Sequence, residues 1–529
     1  MEILIFLIIS YILMSIGLFL VFPKANEEGW KGLVPGLNFI VWCKIVGRPQ
    51  WHAALLLVPI VNLFIYIGMA IDLVRSFGRY AFSDTILAFL YSPAFFIFLG
   101  IQKGEQYIGP SRQLEREFRE RLTAAYDQKD KRAIRKLEKE NVYKKSAGRE
   151  WIEAIVFAVF AAAFIRMFLL EAYVIPTSSM EGSLLVGDYL FVSKSRYGIR
   201  TPKTIMMVPL LHNRLPGVDR ESYLTEPDIP YTRLPALESI DRNDPVVFNY
   251  PEGDSVYITP GRTFSVYDVR RNPQMLGAVP KRFPLVVRPF DKMDHYIKRC
   301  VGVPGDTIQV IDRQLYINGQ PADNPENIQF TYQVNYPGAT LNTNKFQEWG
   351  ISEEDIKGRG NGTMVVVLSE EQKEKIKGMG SGITIEPYDI TQLNPDPNKL
   401  FPYDKKHYPD WTVDNYGPVW VPKKGVTIPL NASNIAFYQR VIDVYENNDF
   451  ENRNGKFFIN GEEATEYTFQ MDYYWMMGDN RHNSEDSRVW GFVPHSHVVG
   501  KPLFIWLSAQ DGNIFNGIRW NRMFTSASK

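Results

Sequence analysis

The sequence predicts a membrane-anchored protein whose bulk is a mainly β ectodomain of antiparallel sheets, preceded by several transmembrane α-helices. Three observations predict it. Residues 3–22 and 151–170 are apolar runs of the roughly 20-residue length a helix needs to cross a bilayer. After Glu171 the text changes to short β-branched and aromatic runs separated by Gly, Pro, Asn and Asp, the signature of strands and turns. Two such runs carry an internal Asn-Gly, "LYINGQPA" from Leu315 and "FFINGEEA" from Phe457, the strongest short signal for a β-hairpin.

The first membrane region covers residues 1–102, with about three spans. Ile3–Phe22 follows Met1-Glu2 without a basic residue and without a small-x-small cleavage site, so it reads as a retained anchor rather than a cleaved leader. Ala53–Ala70 and Ile86–Ile101 are further candidates, interrupted by Pro59, Asn62 and Pro93; such residues are tolerated in a span where neighbouring helices satisfy the backbone. Leu33–Val46 is too short to span and is assigned to the interface.

Residues 103–150 form a charged linker with fourteen Lys and Arg against nine Asp and Glu, a solvated helical spacer by composition. Its basic excess places it in the cytoplasm, so the anchor at 151–171 runs outward and everything after Glu171 lies outside. Four spans also put the N-terminus outside, which leaves Arg75 and Arg79 on the side the charge rule disfavours.

Overall charge carries no message. Lys and Arg total 59 and Asp and Glu total 59, so no nucleic-acid partner is expected. Two cysteines, Cys43 and Cys300, exclude a disulfide framework or a cysteine zinc site. In the outer half, "DYLFV" (Asp188–Val192), "PVVFNY" (Pro245–Tyr250), "TIQVI" (Thr307–Ile311) and "VVGKPLFIWL" (Val498–Leu507) read as strands. "LSEEQKEKIKGMG" reads as a helix with a Ser369/Gln372 capping box and a stop at Gly378.

Three stretches carry candidate chemistry. Thr177, Ser178 and Ser179 stand in a row just after the last span; they are either a polar loop at a helix end or a nucleophile that needs a base. The outer half holds His212, His295, His407, His482, His495 and His497, but no G-x-S-x-G elbow and no H-E-x-x-H occurs, and His495-x-His497 alone does not make a metal site. A lysine base must be desolvated, because at its ordinary pKa of about 10.4 only about one in a few thousand is neutral at pH 7. Lys298 in "DHYIKRCVGVPGDTI" would share a strand face with Tyr296 and Cys300; taken alone, a Lys-Arg pair beside apolar residues is usually an amphipathic surface strand. "MMGDNRHNSEDSRVWGFVP" from Met476 is a polar turn, or a loop made rigid by Asp479, Arg481, Asp486 and Arg488.

Together and in this order, a Ser-Met after an anchor, "GDYLFV", "YIKR…GVPGD" and "GDNR-x-NS-x-DSR-x-WGFVP" resemble the catalytic blocks of the bacterial type I signal (leader) peptidases, the Ser-Lys membrane proteases. The matching blocks cover roughly 70 residues. The resemblance implies Ser179 as nucleophile and Lys298 as general base. It implies an oxyanion hole from the Ser179 N–H and the Thr177 hydroxyl, and Ser484 as the group orienting the lysine. Asp479, Asp486, Arg488 and Arg299 would support the loop, and Ser178 would be dispensable. A Ser-Lys dyad is an accepted variant of triad logic. Two departures stand out: Glu181 is followed by Gly182-Ser183, and His482 replaces a frequent acidic residue.

On this resemblance the β domain begins at 172–311, with insertions near 198–242 and 254–291. An inserted accessory domain occupies 312–472, and 473–529 is the closing part and C-terminal tail. The implied activity is removal of signal peptides from secretory precursors after small-x-small sites, at a bacterial inner membrane and on its periplasmic side, without metal or cofactor. A secretory precursor is the expected partner, with the bilayer and a secretion translocon beside it. The peptide would bind extended against a strand edge, with Leu184, Leu185, Phe191 and Val192 as candidates to line the groove or touch lipid, or as core strand residues. The alternatives are a specialised processing protease of the same family, which a peptide panel distinguishes, and a non-catalytic binder of translocated chains, which intact Ser179, Lys298 and Thr177 argue against. A penicillin-binding enzyme is disfavoured because S-x-x-K occurs only at Ser526–Lys529.

Overall fold

A computed structural model describes residues 2–527 apart from 58–60, 205, 212, 216–219, 227–229, 261, 338–343, 353–354 and 393–399; Pro59 and His212 lie outside the described residues. The chain separates into two units, Met1–Val156 and Phe157–Lys529.

The first unit is helical: α1 (Glu2–Val21), α2 (Leu37–Val46), α3 (Val61–Arg75), α4 (Phe82–Ile101), α5 (Ser111–Asp127), α6 (Lys131–Glu140) and α7 (Ala147–Phe168), whose last turns enter the second unit. Among the described residues, three helices are long and apolar enough to cross a membrane: Ile5–Ala25, Phe82–Ile101 and Ala147–Phe168. The expected span at Ala53–Ala70 is not one of them. The described residues there form a single turn at His52–Leu55 and the 15-residue α3, and residues 58–60 of the expected span lie outside the described residues. Leu37–Val46 is a helix packed into the unit's core through Trp42, Cys43 and Val46.

Helix α4 is not straight. It breaks at Tyr91 (φ −155°, ψ 77°) just before Pro93, as a proline inside a helix demands. Arg79, before its start, donates to Glu105, beyond its end, at 3.2 Å and stacks 5.5 Å over the Phe98 ring. The two ends therefore lie far closer than the roughly 30 Å spanned by a straight helix of this length. The second half of α4 runs alongside α1 in the same direction. Ser10 meets Tyr91 at 3.2 Å, a Cβ on Gly17 would lie 2.6 Å from Phe96 Cβ, and Lys24 donates to the carbonyls of Leu99 and Gln102 at 2.6 and 2.7 Å.

The second unit is built mostly of antiparallel sheets. Its central sheet has seven strands: β1 (Leu170–Val174), β2 (Asp188–Ser193), β3 (Pro245–Asn249), β4 (His295–Gly302), β5 (Tyr473–Met477), β6 (Val493–Pro494) and β7 (Val498–Ser508), in the order β1-β2-β7-β3-β4-β5-β6. β3 is buried at every position, and β4 from Lys298 onward. Alternation on β4 sends Cys300 and Tyr296 into one core with Phe248, Met476 and Trp490, and Ile297 into another with Met180, Leu190 and Val247. Smaller sheets surround this one, and both Asn-Gly hairpins form. Asn318-Gly319 and Asn460-Gly461 each take positive φ at both residues, the requirement of a tight hairpin turn. Ser369 caps helix Glu370–Lys377 with the expected reciprocal box to Gln372.

The segment 312–472 does not fold around a single core. Its strands 330–335, 356–360, 363–368 and 384–387 close over Val334, Phe346, Val366 and Ile376. Its remainder joins Ile308, Val310, Trp475 and Phe492 of the flanking sequence in one larger core through Phe401, Tyr416, Phe437 and Tyr438.

Candidate active site

After the anchor the chain enters β1, an edge strand, and is looped out until Asp188. Ile175 N bonds Asp188 O at 2.9 Å and Gly187 N bonds Ile175 O at 2.9 Å, so the intervening residues leave the sheet as a closed loop. Ser178–Met180 forms one tight helical turn within it. Met180 and Leu184 anchor that turn in the core beside Leu190 and Val192. Ser179 is thereby fixed and buried, while Thr177 is exposed, its Oγ1 3.5 Å from Ser179 Oγ.

Lys298 reaches the same point from β4, where it pairs opposite Val246. Its Nζ donates to Ser179 Oγ at 2.7 Å and to the Ile297 carbonyl at 3.0 Å. The side chain is 4% exposed, and it stands 5.7 Å over the Tyr296 ring. Burial pushes its pKa down to about 8, while Asp486, Glu485 and Asp479 limit the fall. At that value roughly one lysine in ten is neutral at pH 7.

The third segment supplies the floor. Arg299, next to Lys298, grips Asp479 with Nε–Oδ1 at 2.7 Å and Nη2–Oδ2 at 2.6 Å. Arg488 holds Asp486 in the same two-point way at 2.9 and 2.8 Å, and Asp486 also accepts from Gly478 N at 3.1 Å. All four side chains are buried. Two-point charge-assisted pairs fix orientation as well as position.

The loop then binds the serine turn directly. Asn480 N donates to Ser179 O at 3.2 Å, Asn480 Nδ2 to Ser178 O at 3.3 Å, and Asn483 Nδ2 to Ser178 Oγ at 2.6 Å. Sequence reasoning passed over Asn480, Asn483 and Gly478, although all three lie inside the resemblance block. A Cβ on Gly478 would stand 2.5 Å from Ser179 O, so this position admits only glycine without displacing the turn. Ser178, expected to be idle, is buried and bonded. Ser484, expected to orient the lysine, lines the same cleft but does not bond Lys298, whose second bond goes to its own strand.

Dyad and loop open into a cleft of about 1690 Å³, lined by Thr177–Met180, Leu190, Tyr296, Lys298 and Arg481–Glu485. The inserted segments wall it through Ile258, Arg262, Thr331, Thr391 and Trp411. Of the four apolar lining candidates, Leu184 and Val192 are core residues, Phe191 stacks on Phe504 and Trp506, and Leu185 is not in the lining; Leu190 takes that place. Period-2 alternation turns Leu190 and Val192 to the same face of β2 and Phe191 to the other.

Both departures from the family pattern have structural partners. Gly182, at φ +101°, lets the Asn327 carbonyl of an inserted segment approach to where a Cβ would be 2.1 Å away, and Ser183 Oγ accepts from Arg299 at 3.0 Å. His482 is buried; its Nε2 meets Asp414 at 2.7 Å and its Nδ1 accepts from Thr331 N at 3.0 Å. The insertion thus supplies the carboxylate that the loop itself lacks. His495 and His497 do not face a common site: His495 bonds the Tyr474 hydroxyl and His497 the Ser496 hydroxyl, each at 3.1 Å.

Comparison with known proteins gives the family. Residues 148–359 and 426–507 match the family model described as signal peptidase, peptidase S26, and residues 30–110 match a family of unknown function (DUF5684). The chain is 26% identical to signal peptidase I of Haemophilus influenzae over 416 residues, covering 77% of this chain and 84% of that protein. It is 22% identical to signal peptidase I of Helicobacter pylori over 391 residues, 71% of this chain and 90% of the relative. It is 25% identical to signal peptidase I of Buchnera aphidicola over 379 residues, 70% and 79%. With the peptidase model matching more than half of its 529 residues, including every segment that meets at Ser179 and Lys298, the chain belongs to the signal peptidase family, peptidase S26.

Proposed function

We propose that this serine peptidase removes signal peptides from secretory precursors through a Ser179–Lys298 dyad. The observation that carries the reading is the 2.7 Å contact between Lys298 Nζ and Ser179 Oγ in a buried setting. Neutral Lys298 takes the proton of Ser179 Oγ as the oxygen attacks the scissile carbonyl. The Ser179 N–H and the Thr177 hydroxyl stabilise the oxyanion. Collapse breaks the C–N bond, and the lysine ammonium returns its proton to the leaving amine. Lys298 then deprotonates a water that attacks the ester, releasing the signal peptide and restoring Ser179. Arg299 with Asp479 and Arg488 with Asp486 position the loop that holds the serine turn, and Ser484 serves as a lysine-orienting hydroxyl once substrate is bound.

The same reading places the β unit on the periplasmic face of a bacterial inner membrane, where a precursor and its translocon would meet it. The basic excess of 103–149 supports that orientation. Lys24 donates to Gln102 O and Arg79 to Glu105, so these cations share one end of the helical unit. The fold-back of α4, which brings Arg79 to the end that holds Lys24, supports this orientation.

Cleavage of a secretory precursor in detergent or lipid tests the reading, with Lys298→Ala checked for folding and membrane insertion. Parental protein cuts after a small-x-small site and Lys298→Ala is inert; equal cutting by the folded variant removes Lys298 as the base and the role assignment with it.

A further inference from the structure

Where the loop after β5 meets the inserted strand 330–335, four buried polar atoms have no hydrogen-bond partner among the described residues: Asn480 Oδ1, Arg481 Nε, Gln329 Oε1 and Thr331 Oγ1. The residues that carry them are joined through their backbones. Arg481 N donates to Gln329 O at 2.9 Å, Gln329 N to Asp479 O at 3.0 Å, and Thr331 N to His482 Nδ1 at 3.0 Å. Buried polar groups are almost always satisfied, so a cluster of orphans marks a place where a partner belongs. Arg481 and Thr331 line the cleft that contains Ser179 and Lys298.

The charges point to the kind of partner. Three guanidiniums, Arg299, Arg481 and Arg488, are buried here with two carboxylates, Asp479 and Asp486. Each carboxylate is already held at two points, by Arg299 and by Arg488 respectively. Arg481 is 2% exposed, and among the described residues no carboxylate lies within ion-pair distance of it. Glu485, also on this loop, is exposed and lines the same cleft, and among the described residues it makes no ion pair with Arg481. Burial and Arg488 push the Arg481 pKa down to about 10 while Asp479 and Asp486 limit the fall, and it stays protonated at neutral pH. An unpaired buried cation is costly, and the cleft is the open side from which an anion can reach it.

We propose that Arg481 and Thr331 form a subsite in the cleft that takes the carboxylate of an Asp or Glu side chain of the bound precursor, Arg481 supplying the charge and Thr331 a hydroxyl donor. The subsite rests on the peptidase reading above. A loop of the peptidase block and an inserted segment build it jointly, which gives the insertion a role in choosing substrates. A backbone carbonyl would satisfy the hydrogen bonds but not the charge, and would produce no preference between an acid and its amide.

The test uses the full-length protein and peptides that carry a single Glu or Gln at each position flanking the cut. At one position the Glu peptide is cleaved with kcat/KM about tenfold or more above the Gln peptide, the scale of a hydrogen bond to a charged group. Arg481→Met brings that ratio to about one, chiefly through KM of the Glu peptide; Arg481→Lys, which keeps the charge, retains part of it, and Thr331→Val lowers it. Cleavage of the Gln peptides is the control: if none is cut by parental protein, the peptidase reading fails and takes the subsite with it. If Gln peptides are cut and no position favours Glu, or if Arg481→Met keeps the full ratio, the subsite is overturned. Should Arg481→Met not fold, an unchanged ratio in both Arg481→Lys and Thr331→Val overturns it equally.

Discussion

Lys298 Nζ meets Ser179 Oγ at 2.7 Å although 119 residues separate them in the chain, and the lysine is only 4% exposed. An ammonium in that position is held at the expense of folding free energy. The same desolvation that destabilises the charged form prepares the neutral form that the chemistry needs.

The first prediction is therefore a pH dependence with two signs. kcat/KM rises as pH is raised through about 8 and levels above it, because Lys298 must lose its proton to act as base. In stability the depressed pKa works against folding. Between about 8 and the unfolded value the unfolded chain binds more protons, so the protein gains stability as pH rises there. Lys298→Met should raise the melting temperature of the β unit at pH 7, by an amount corresponding to up to about 3 kcal/mol, and the gain should vanish above pH 10. Calorimetry at pH 7 and pH 10.5 checks it.

Thr177 is exposed, and its hydroxyl lies 3.5 Å from the serine oxygen. Thr177→Val keeps the shape and removes the donor. Its kcat should fall roughly a hundredfold or more, with little change in KM or melting temperature, the pattern of a lost oxyanion donor. Steady-state kinetics with a precursor peptide reads this directly.

Gly478 has no room for a side chain. A Cβ there would lie 2.3 Å from Ser484 Oγ and 2.5 Å from Ser179 O, and the second neighbour is backbone that cannot swing aside. Gly478→Ala must push the serine turn away from Lys298. A shift of about 1 Å is enough to lose roughly a hundredfold in rate, so activity should drop by at least that factor while the circular dichroism of the β unit is preserved.

Much of the local structure was legible without coordinates. The Asn-Gly pairs, the Ser369 capping box and the strands at Asp188, Pro245, Thr307 and Val498 follow from short-range sterics and hydrogen bonding, which neighbouring residues carry by themselves. The break in α4 was legible only in part. Pro93 announced a disturbance, but the fold-back became visible once Arg79 was found beside Glu105. The inserted segments showed no chemistry of their own as sequence, because their contribution is a wall of a cleft that Ser179 and Lys298 also line.

What the sequence by itself determined is the type and order of the pieces: apolar anchors long enough for a bilayer, a charged spacer, hairpins and strands, and the blocks that carry Ser179, Lys298 and Asp479. The tertiary structure alone decided which of these groups are buried and paired. Lys298 is an ordinary lysine until β3, β5 and the loop after β5 bury it. Asp479 meets Arg299 from 180 residues away, and His482 finds its carboxylate at Asp414, 68 residues earlier. Desolvation and charge pairing depend on what the fold brings together through space, and short-range pattern carries no record of that.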